Sequence, residues 1–169
     1  MSASHESVPV SRRVGAMLVT LKSNLDVEFS RVFDAPRRLV FEAYSRPEHI
    51  RRWWGPPGST VTECAMDFRP GGRWRFVLRT ADGREVDFHG EYREIVPPER
   101  YVWTFAFADM PEPGGLETYT FTEQGDKTTL VAVGHFDSVE SRDAALRSGM
   151  EKGAAETWDR LEALVRTLR

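Results

Sequence analysis

The C-terminal stretch from Ser138 to Leu168 has the apolar repeat of one long amphipathic helix. Its apolar residues recur every three or four positions, and this spacing places them on one face of a helix. The residues of this stripe are Leu146, Met150, Ala154, Trp158, Leu161, Val165 and Leu168. At 1.5 Å per residue, about 27 helical residues span roughly 40 Å. A broad, curved antiparallel sheet can hold such a helix on its concave face, so we expect the rest of the chain to build that sheet.

The residues before this helix alternate between apolar and polar side chains, which is the pattern of half-buried strands. Residues 25–33 are the predicted first strand. Two short helices are predicted next, one with Asp34 as its N-cap and one over about 47–54. Six further strands are predicted between 60 and 136, and turn signals such as Asp82-Gly83 join them as hairpins.

The predicted fold is α+β, with a curved, seven-stranded antiparallel sheet around a long C-terminal helix and two short helices after the first strand. Seven strands about 4.8 Å apart and about 28 Å long have a diagonal near 40 Å. This diagonal matches the length expected for the helix. Residues 24–169 are predicted to form this single domain, and residues 1–23 an N-terminal extension.

Composition narrows the classes of partner. A net charge of −3 over 169 residues gives no reason to expect a nucleic-acid partner. The single cysteine, Cys64, excludes an internal disulfide and fits a reducing cytosol, so we predict a cytoplasmic location. No apolar run approaches the roughly 20 residues that span a bilayer, so we expect no membrane insertion.

Four short motifs indicate a family. They read RVFDAP at 31–36, RWWGP at 52–56, DFRPGG at 67–72 and IVPPER at 95–100. In this order and at these spacings the chain resembles the START/Bet v 1-like (SRPBCC) superfamily, in the branch related to the C-terminal domain of the Hsp90 ATPase activator homologue. The resemblance covers about 25–168. It implies a helix-grip fold with a deep, largely apolar cavity between the curved sheet and the C-terminal helix.

The candidate ligand-binding residues are those that this cavity would expose. They combine the aromatic residues of one sheet face, selected by their alternation, with neighbours from the helices and one sheet edge. The candidates are Trp54, Met66, Trp74, Phe76, Phe88, Tyr92, Trp103, Phe105, Tyr119, Phe121, Met150, Gly153 and Trp158. Aromatic residues on such a face are usually core, so a core role and a pocket role both stay open for each of them.

Three further positions have two interpretations each. Gly149 and Gly153 lie inside the predicted helix, where glycine costs about 1 kcal/mol relative to alanine. They indicate either a close approach of helix and sheet or room for a ligand. Arg31 lies on the apolar side of the first strand, where it either reaches out to solvent or forms a buried pair with a carboxylate.

The usual signatures of catalysis are absent from the sequence. There is no nucleophile elbow, phosphate loop or dinucleotide fingerprint. One cysteine and scattered histidines make no zinc set, so we expect neither a metal nor a cofactor. No catalytic residue is identified, and an acid–base site built from Tyr, Glu or His in the pocket stays open.

We therefore expect a protein that binds a small hydrophobic or aromatic molecule between sheet and helix. The resemblance implies two alternatives: a co-chaperone-like interaction module with a chaperone partner, and a cyclase- or hydrolase-type enzyme that uses the same cavity. The sequence favours a binding role over an enzyme. Exposed strand edges also leave a homodimer open.

Overall fold

A computed structural model describes residues 10–108, 110 and 114–169. It contains one sheet and four helices within these residues. In chain order the elements are β1 (Val10–Val14), β2 (Met17–Leu21), β3 (Asp26–Phe33), α1 (Arg37–Ser45), α2 (Pro47–Trp53), β4 (Thr60–Met66), β5 (Arg73–Arg79), β6 (Glu85–Val96), β7 (Arg100–Phe107), β8 (Gly115–Gln124), β9 (Lys127–His135), α3 (Val139–Arg147) and α4 (Met150–Thr167).

The sheet is antiparallel between each pair of neighbouring strands, in the order β1-β2-β3-β9-β8-β7-β6-β5-β4. The predicted α+β fold, with a curved antiparallel sheet and a C-terminal helix, is confirmed. The strand count differs, because the described sheet has nine strands and not seven. No helix among the described residues combines the length and apolar character that crossing a bilayer requires.

The two additional strands lie within the N-terminal extension expected from the sequence. β1 and β2 form a hairpin that turns at Gly15 and pairs with β3. Met17 of β2 is fully buried. The hairpin is short and carries Arg12 on its inward side, so its alternation is too weak to indicate a strand without the neighbouring β3. Residues 1–9 of the extension lie outside the described residues.

The prediction of one continuous C-terminal helix is wrong. The stretch forms α3 and α4, which are separated at Ser148 and Gly149. Gly149 has a φ of +83°, in the left-handed region that favours glycine. The apolar stripe nevertheless faces the core on both sides of the break, since Leu146 and Met150 both pack against it. Ser138 is the N-cap, as predicted, and its Oγ accepts from the Ser141 backbone N–H at 3.0 Å.

Asp34 does not cap α1, in contrast to the prediction. The helix begins after Pro36, which provides no side-chain cap. Asp34 instead connects the segment after β3 to the C-terminal residues. Its Oδ1 accepts from the Arg169 guanidinium at 2.9 Å, and its backbone N–H donates to Glu162 of α4. The fixed φ of Pro36 starts the helix without a capping side chain.

Arg31 of β3 pairs with a carboxylate, but only the arginine is buried, since the Asp159 side chain is 62% exposed. The Arg31 side chain is only 10% exposed, and Nη1 lies 2.6 Å from Oδ1 of Asp159 on α4. Its guanidinium also lies 5.1 Å from the centre of the Phe33 ring. The inner face of the sheet, which we define as the face that α4 packs on, therefore contains a cation paired with this helix.

Neither glycine of the C-terminal stretch marks a close approach of helix and sheet. A Cβ added at Gly149 or at Gly153 would meet no atom within 4 Å. Their roles differ because Gly149 needs its left-handed backbone to end one helix and start the next, whereas Gly153 lies within α4 with an ordinary backbone.

We expect Gly149→Ala and Gly153→Ala to shift stability in opposite directions. Alanine at Gly149 forces a Cβ into a left-handed conformation and should lower the free energy of unfolding by about 1 kcal/mol. Alanine at Gly153 meets no clash and should raise it by about 0.5–1 kcal/mol through helix propensity. Urea unfolding followed by circular dichroism measures both. Equal shifts in the two variants would contradict the assigned roles.

Candidate functional site

The inner face of the sheet is closed at one end and open at the other. On β7, Trp103 is 1% exposed, Phe105 is half-buried, and Phe107 is 37% exposed. β8 runs in the opposite direction and shows the same gradient, from a buried Phe121 to a half-buried Glu117. We call the half-buried side of the inner face the open end.

Helices cover the closed end tightly. Tyr44 of α1 packs its ring against Tyr101 and Phe121, with ring centres 5.7 Å away in each case. These contacts leave the closed end filled by aromatic core.

Trp54, directly after α2, covers the β5–β6 side of the face towards the other end. Its ring centre lies 4.9 Å from that of Phe76 and 5.6 Å from that of Phe88, and Phe88 is the register partner of both Phe76 and Phe107.

The helix α3 flanks the open end without burying any of its own residues. Its Arg142 Nη1 donates to the backbone oxygen of Ser23, in the turn before β3, at 3.2 Å. β3 begins beside His135 at the open end, because Asp26 and His135 are register partners. Leu146 is the α3 side chain that packs against the core. A loosely seated helix therefore lies beside the open part of the face.

A carboxyl group lies at the boundary between the closed and open ends. Glu117 of β8 is the register partner of Trp103 on one side and of Gly134 on the other. Trp103 Nε1–H donates to Glu117 Oε1 at 2.7 Å, and the Tyr119 hydroxyl donates to the same oxygen at 3.1 Å. The strand pairing thus fixes the carboxyl beside two aromatic donors.

Burial raises the pKa of Glu117 above its ordinary value, and the hydrogen bonds from Trp103 and Tyr119 oppose this rise only in part. Within the described part of the chain, no Lys, Arg or His forms an ion pair with this carboxyl. Burial also raises the pKa values of the neighbouring phenols Tyr44, Tyr101 and Tyr119, and the Glu117 charge adds to each rise. The phenols therefore stay neutral around the carboxyl at physiological pH.

Two glycines lie near the carboxyl, one opposite it and one on its own strand. Gly134 lies opposite Glu117, and a Cβ there would meet only the Phe136 ring at 3.8 Å and a carbonyl at 3.9 Å. Gly115 lies two residues before Glu117 on the same strand, and a Cβ there would meet only a carbonyl at 3.6 Å. These are ordinary van der Waals distances, so a small side chain would fit at either position without a clash.

Most of the predicted ligand-binding residues lie in the closed, buried part of the face. Trp74 stacks on Trp103 with ring centres 4.0 Å apart and an angle of 17°. The Tyr92 hydroxyl is buried and has no hydrogen-bond partner among the described residues. The predicted residues that the structure places in the core are Trp54, Trp74, Phe76, Tyr92, Trp103, Tyr119, Phe121 and Trp158.

The remaining predicted residues are half-buried, in different places. Phe88 and Phe105 pack 5.7 Å apart on β6 and β7 towards the open end. Met66 of β4 and Met150 of α4 pack against the edge of the core. Gly153 is half-buried within α4 and shows only open space at its Cβ position.

The sequence interpretation missed Glu117. The residue shares its parity with Tyr119 and Phe121, both of which were expected to face inward. A charged residue on an apolar parity was the available signal, as it was at Arg31. What the spacing cannot provide is the identity of the cross-strand neighbours, Trp103 and Gly134, because these come from distant strands.

Within the residues that the structure describes, no group of three His, Cys, Asp or Glu side chains is placed to hold a metal ion. The chemical groups that the open end does present are partly exposed aromatic rings and one carboxyl. This arrangement can hold an apolar body and place one polar group against the carboxyl.

Comparison with solved structures identifies the same fold in several bacterial proteins. A Rhodobacter sphaeroides protein is 24% identical, with a TM-score of 0.83 over 90% of this chain and 99% of its own. A Mycobacterium smegmatis protein is 28% identical, with a TM-score of 0.76 over 83% of this chain and 90% of its own. A Nitrosomonas europaea protein is 22% identical, with a TM-score of 0.78 over 86% of this chain and 96% of its own.

Comparison with families and with curated proteins gives different results. No curated protein matches this chain. The family model described as Activator of Hsp90 ATPase homolog 1-like protein matches residues 34–166, from the end of β3 to the last turn of α4. Since this match spans most of the domain, the chain belongs to the Activator of Hsp90 ATPase homolog 1-like family.

Proposed function

We propose that the protein binds a small apolar or aromatic molecule at the open end of the inner sheet face. The observation that carries this proposal is the gradient of burial along β7 and β8, from Trp103 at 1% exposed to Phe107 at 37% exposed. An apolar face that is left partly uncovered beside a loosely seated helix is a surface that a small molecule can complete.

Hydrophobic burial supplies the main part of the binding free energy. Covering about 300 Å² of apolar ligand surface contributes on the order of 7 kcal/mol before the costs of ordering. The half-buried ring of Phe105 and the exposed ring of Phe107 at the open end offer apolar surface to an aromatic body. An aromatic ligand would also extend the ring packing that begins with Trp74 on Trp103.

We expect Gly134→Leu to weaken binding of the neutral fluorescent probe N-phenyl-1-naphthylamine about tenfold or more. A leucine at this inward position would occupy the space opposite Glu117, which the probe needs. Fluorescence titration measures the dissociation constant, and circular dichroism checks that the fold is retained.

Val133→Leu is the matched control. Val133 is the neighbouring residue of β9 and points to the outer face, so this variant should bind the probe as the wild type does. Equal probe affinity in folded Gly134→Leu protein would contradict the proposed position of the site. No probe binding by the wild type would contradict the proposed function itself.

The same carboxyl should make stability depend on pH. Because the pKa of Glu117 is raised in the folded state, the folded protein holds a proton that the unfolded chain releases. Stability from this group is therefore fully present below the ordinary glutamate pKa and is lost as the pH rises through the folded-state value.

We expect Glu117→Gln to reduce this loss of stability with rising pH. The wild-type free energy of unfolding should decrease from about pH 4.5 towards neutral pH relative to that of the variant, because only the wild type must ionise a buried carboxyl. Urea unfolding at several pH values gives both curves, and all other titrating groups cancel in their difference. A constant difference would show that Glu117 has its ordinary pKa.

A further inference from the structure

We propose that the bound molecule carries a protonated amine or another cationic nitrogen beside its aromatic body, and that the Glu117 carboxylate receives this cation. The inference rests on the proposed function and names the class of ligand. It is carried by the placement of Glu117 on the inner face, by its one-sided hydrogen bonding, and by its lack of a cationic partner among the described residues.

The hydrogen bonds to Glu117 use only one of its two oxygens. Trp103 Nε1–H and the Tyr119 hydroxyl both donate to Oε1. No donor in the described part of the chain bonds Oε2. An ionised carboxylate accepts about four hydrogen bonds, so Oε2 is available to a donor that the ligand brings. Gly134, the register partner of Glu117, and Gly115 have no side chains that could cover this group.

Among the described residues, two glutamates that are more deeply buried than Glu117 have cationic partners. Glu151 pairs with Arg12 of the N-terminal hairpin, and Glu162 pairs with Arg166 at 2.9 Å. A buried carboxylate without a counter-charge is costly, and it either takes up a proton or acquires a partner. The raised pKa of Glu117 is what proton uptake requires. A cationic ligand would instead give the carboxylate its partner.

Aromatic rings around the carboxyl also favour a cation. The Trp103 ring lies 5.7 Å from that of Tyr119 at 83°, and 6.1 Å from that of Phe105. An ammonium group near the faces of such rings gains cation–π energy in addition to its charge-assisted hydrogen bond. An anionic ligand would instead meet the repulsion of Glu117, and a neutral alcohol would gain only one hydrogen bond.

Three naphthalene derivatives of similar shape test this inference. 1-Naphthylmethylamine is cationic at neutral pH, 1-naphthalenemethanol is neutral, and 1-naphthoate is anionic. Each competes with N-phenyl-1-naphthylamine for the wild type, for Glu117→Gln and for Glu123→Gln. Glu123 lies on the same strand and is exposed, and its Oε1 accepts from the Arg37 backbone N–H at the start of α1. Its variant is therefore a matched control for loss of a carboxylate.

In the wild type and in Glu123→Gln, the amine should displace the probe at a concentration about tenfold or more below that needed for the alcohol. 1-Naphthoate should be the weakest competitor. In Glu117→Gln this preference should disappear while probe binding continues. Equal competition by amine and alcohol in the wild type, or an unchanged preference in Glu117→Gln, would overturn the inference and leave the proposed function standing. Failure of the wild type to bind the probe would overturn both.

Acid provides a second readout. The amine preference of the wild type should weaken as the pH falls and Glu117 takes up its proton, whereas the weak amine binding of Glu117→Gln should not change. The ionisable groups that face this carboxyl, namely Tyr44, Tyr101 and Tyr119, stay neutral throughout because their pKa values are raised. A preference that does not depend on pH would overturn the assignment of the cation to Glu117.

Discussion

The packing of the C-terminal helix on the inner sheet face determines where this protein is closed and where it is open. α4 has 18 residues and spans about 27 Å, whereas nine strands about 4.8 Å apart span about 38 Å. The helix, with α1 and α2, covers one end of the face. The left-handed backbone at Gly149 ends α3 and starts α4, so that α4 does not extend over the other end. The preceding helix α3 flanks that end without burying a residue.

Much of this architecture could be predicted from the sequence, because it depends on local patterns. Alternation identified the inward side of β5, β7 and β8, and three-to-four spacing identified the core-facing stripe of the C-terminal stretch. The break at Gly149 was missed because the stripe keeps its phase across it. The β1–β2 hairpin was missed because its burial depends on pairing with β3. Its Arg12 is held on the inner face by an ion pair with Glu151 of α4.

The candidate site could be predicted only in part, for a similar reason. Parity placed Trp103 and Tyr119 on the inner face, but parity alone does not separate a core aromatic residue from one that borders open space. That distinction depends on how far each strand runs beyond the helices that cover it. Glu117 required still more, since its environment is made by Trp103 and Gly134 on two other strands. Long-range register, which spacing does not encode, sets the chemistry of the site.

The two charged residues on the inner face show how the reach of α4 connects stability and function. Arg31 lies where α4 passes, and the helix supplies Asp159 at 2.6 Å, so that this cation is compensated within the fold. Glu117 lies towards the open end, where it receives hydrogen bonds from its own sheet and no ion pair from the described residues. A helix long enough to complete the face could have paired this carboxyl as well, and would have filled the space beside it. Because the helix is shorter, a ligand can cover the remaining apolar surface and pair with the Glu117 carboxylate.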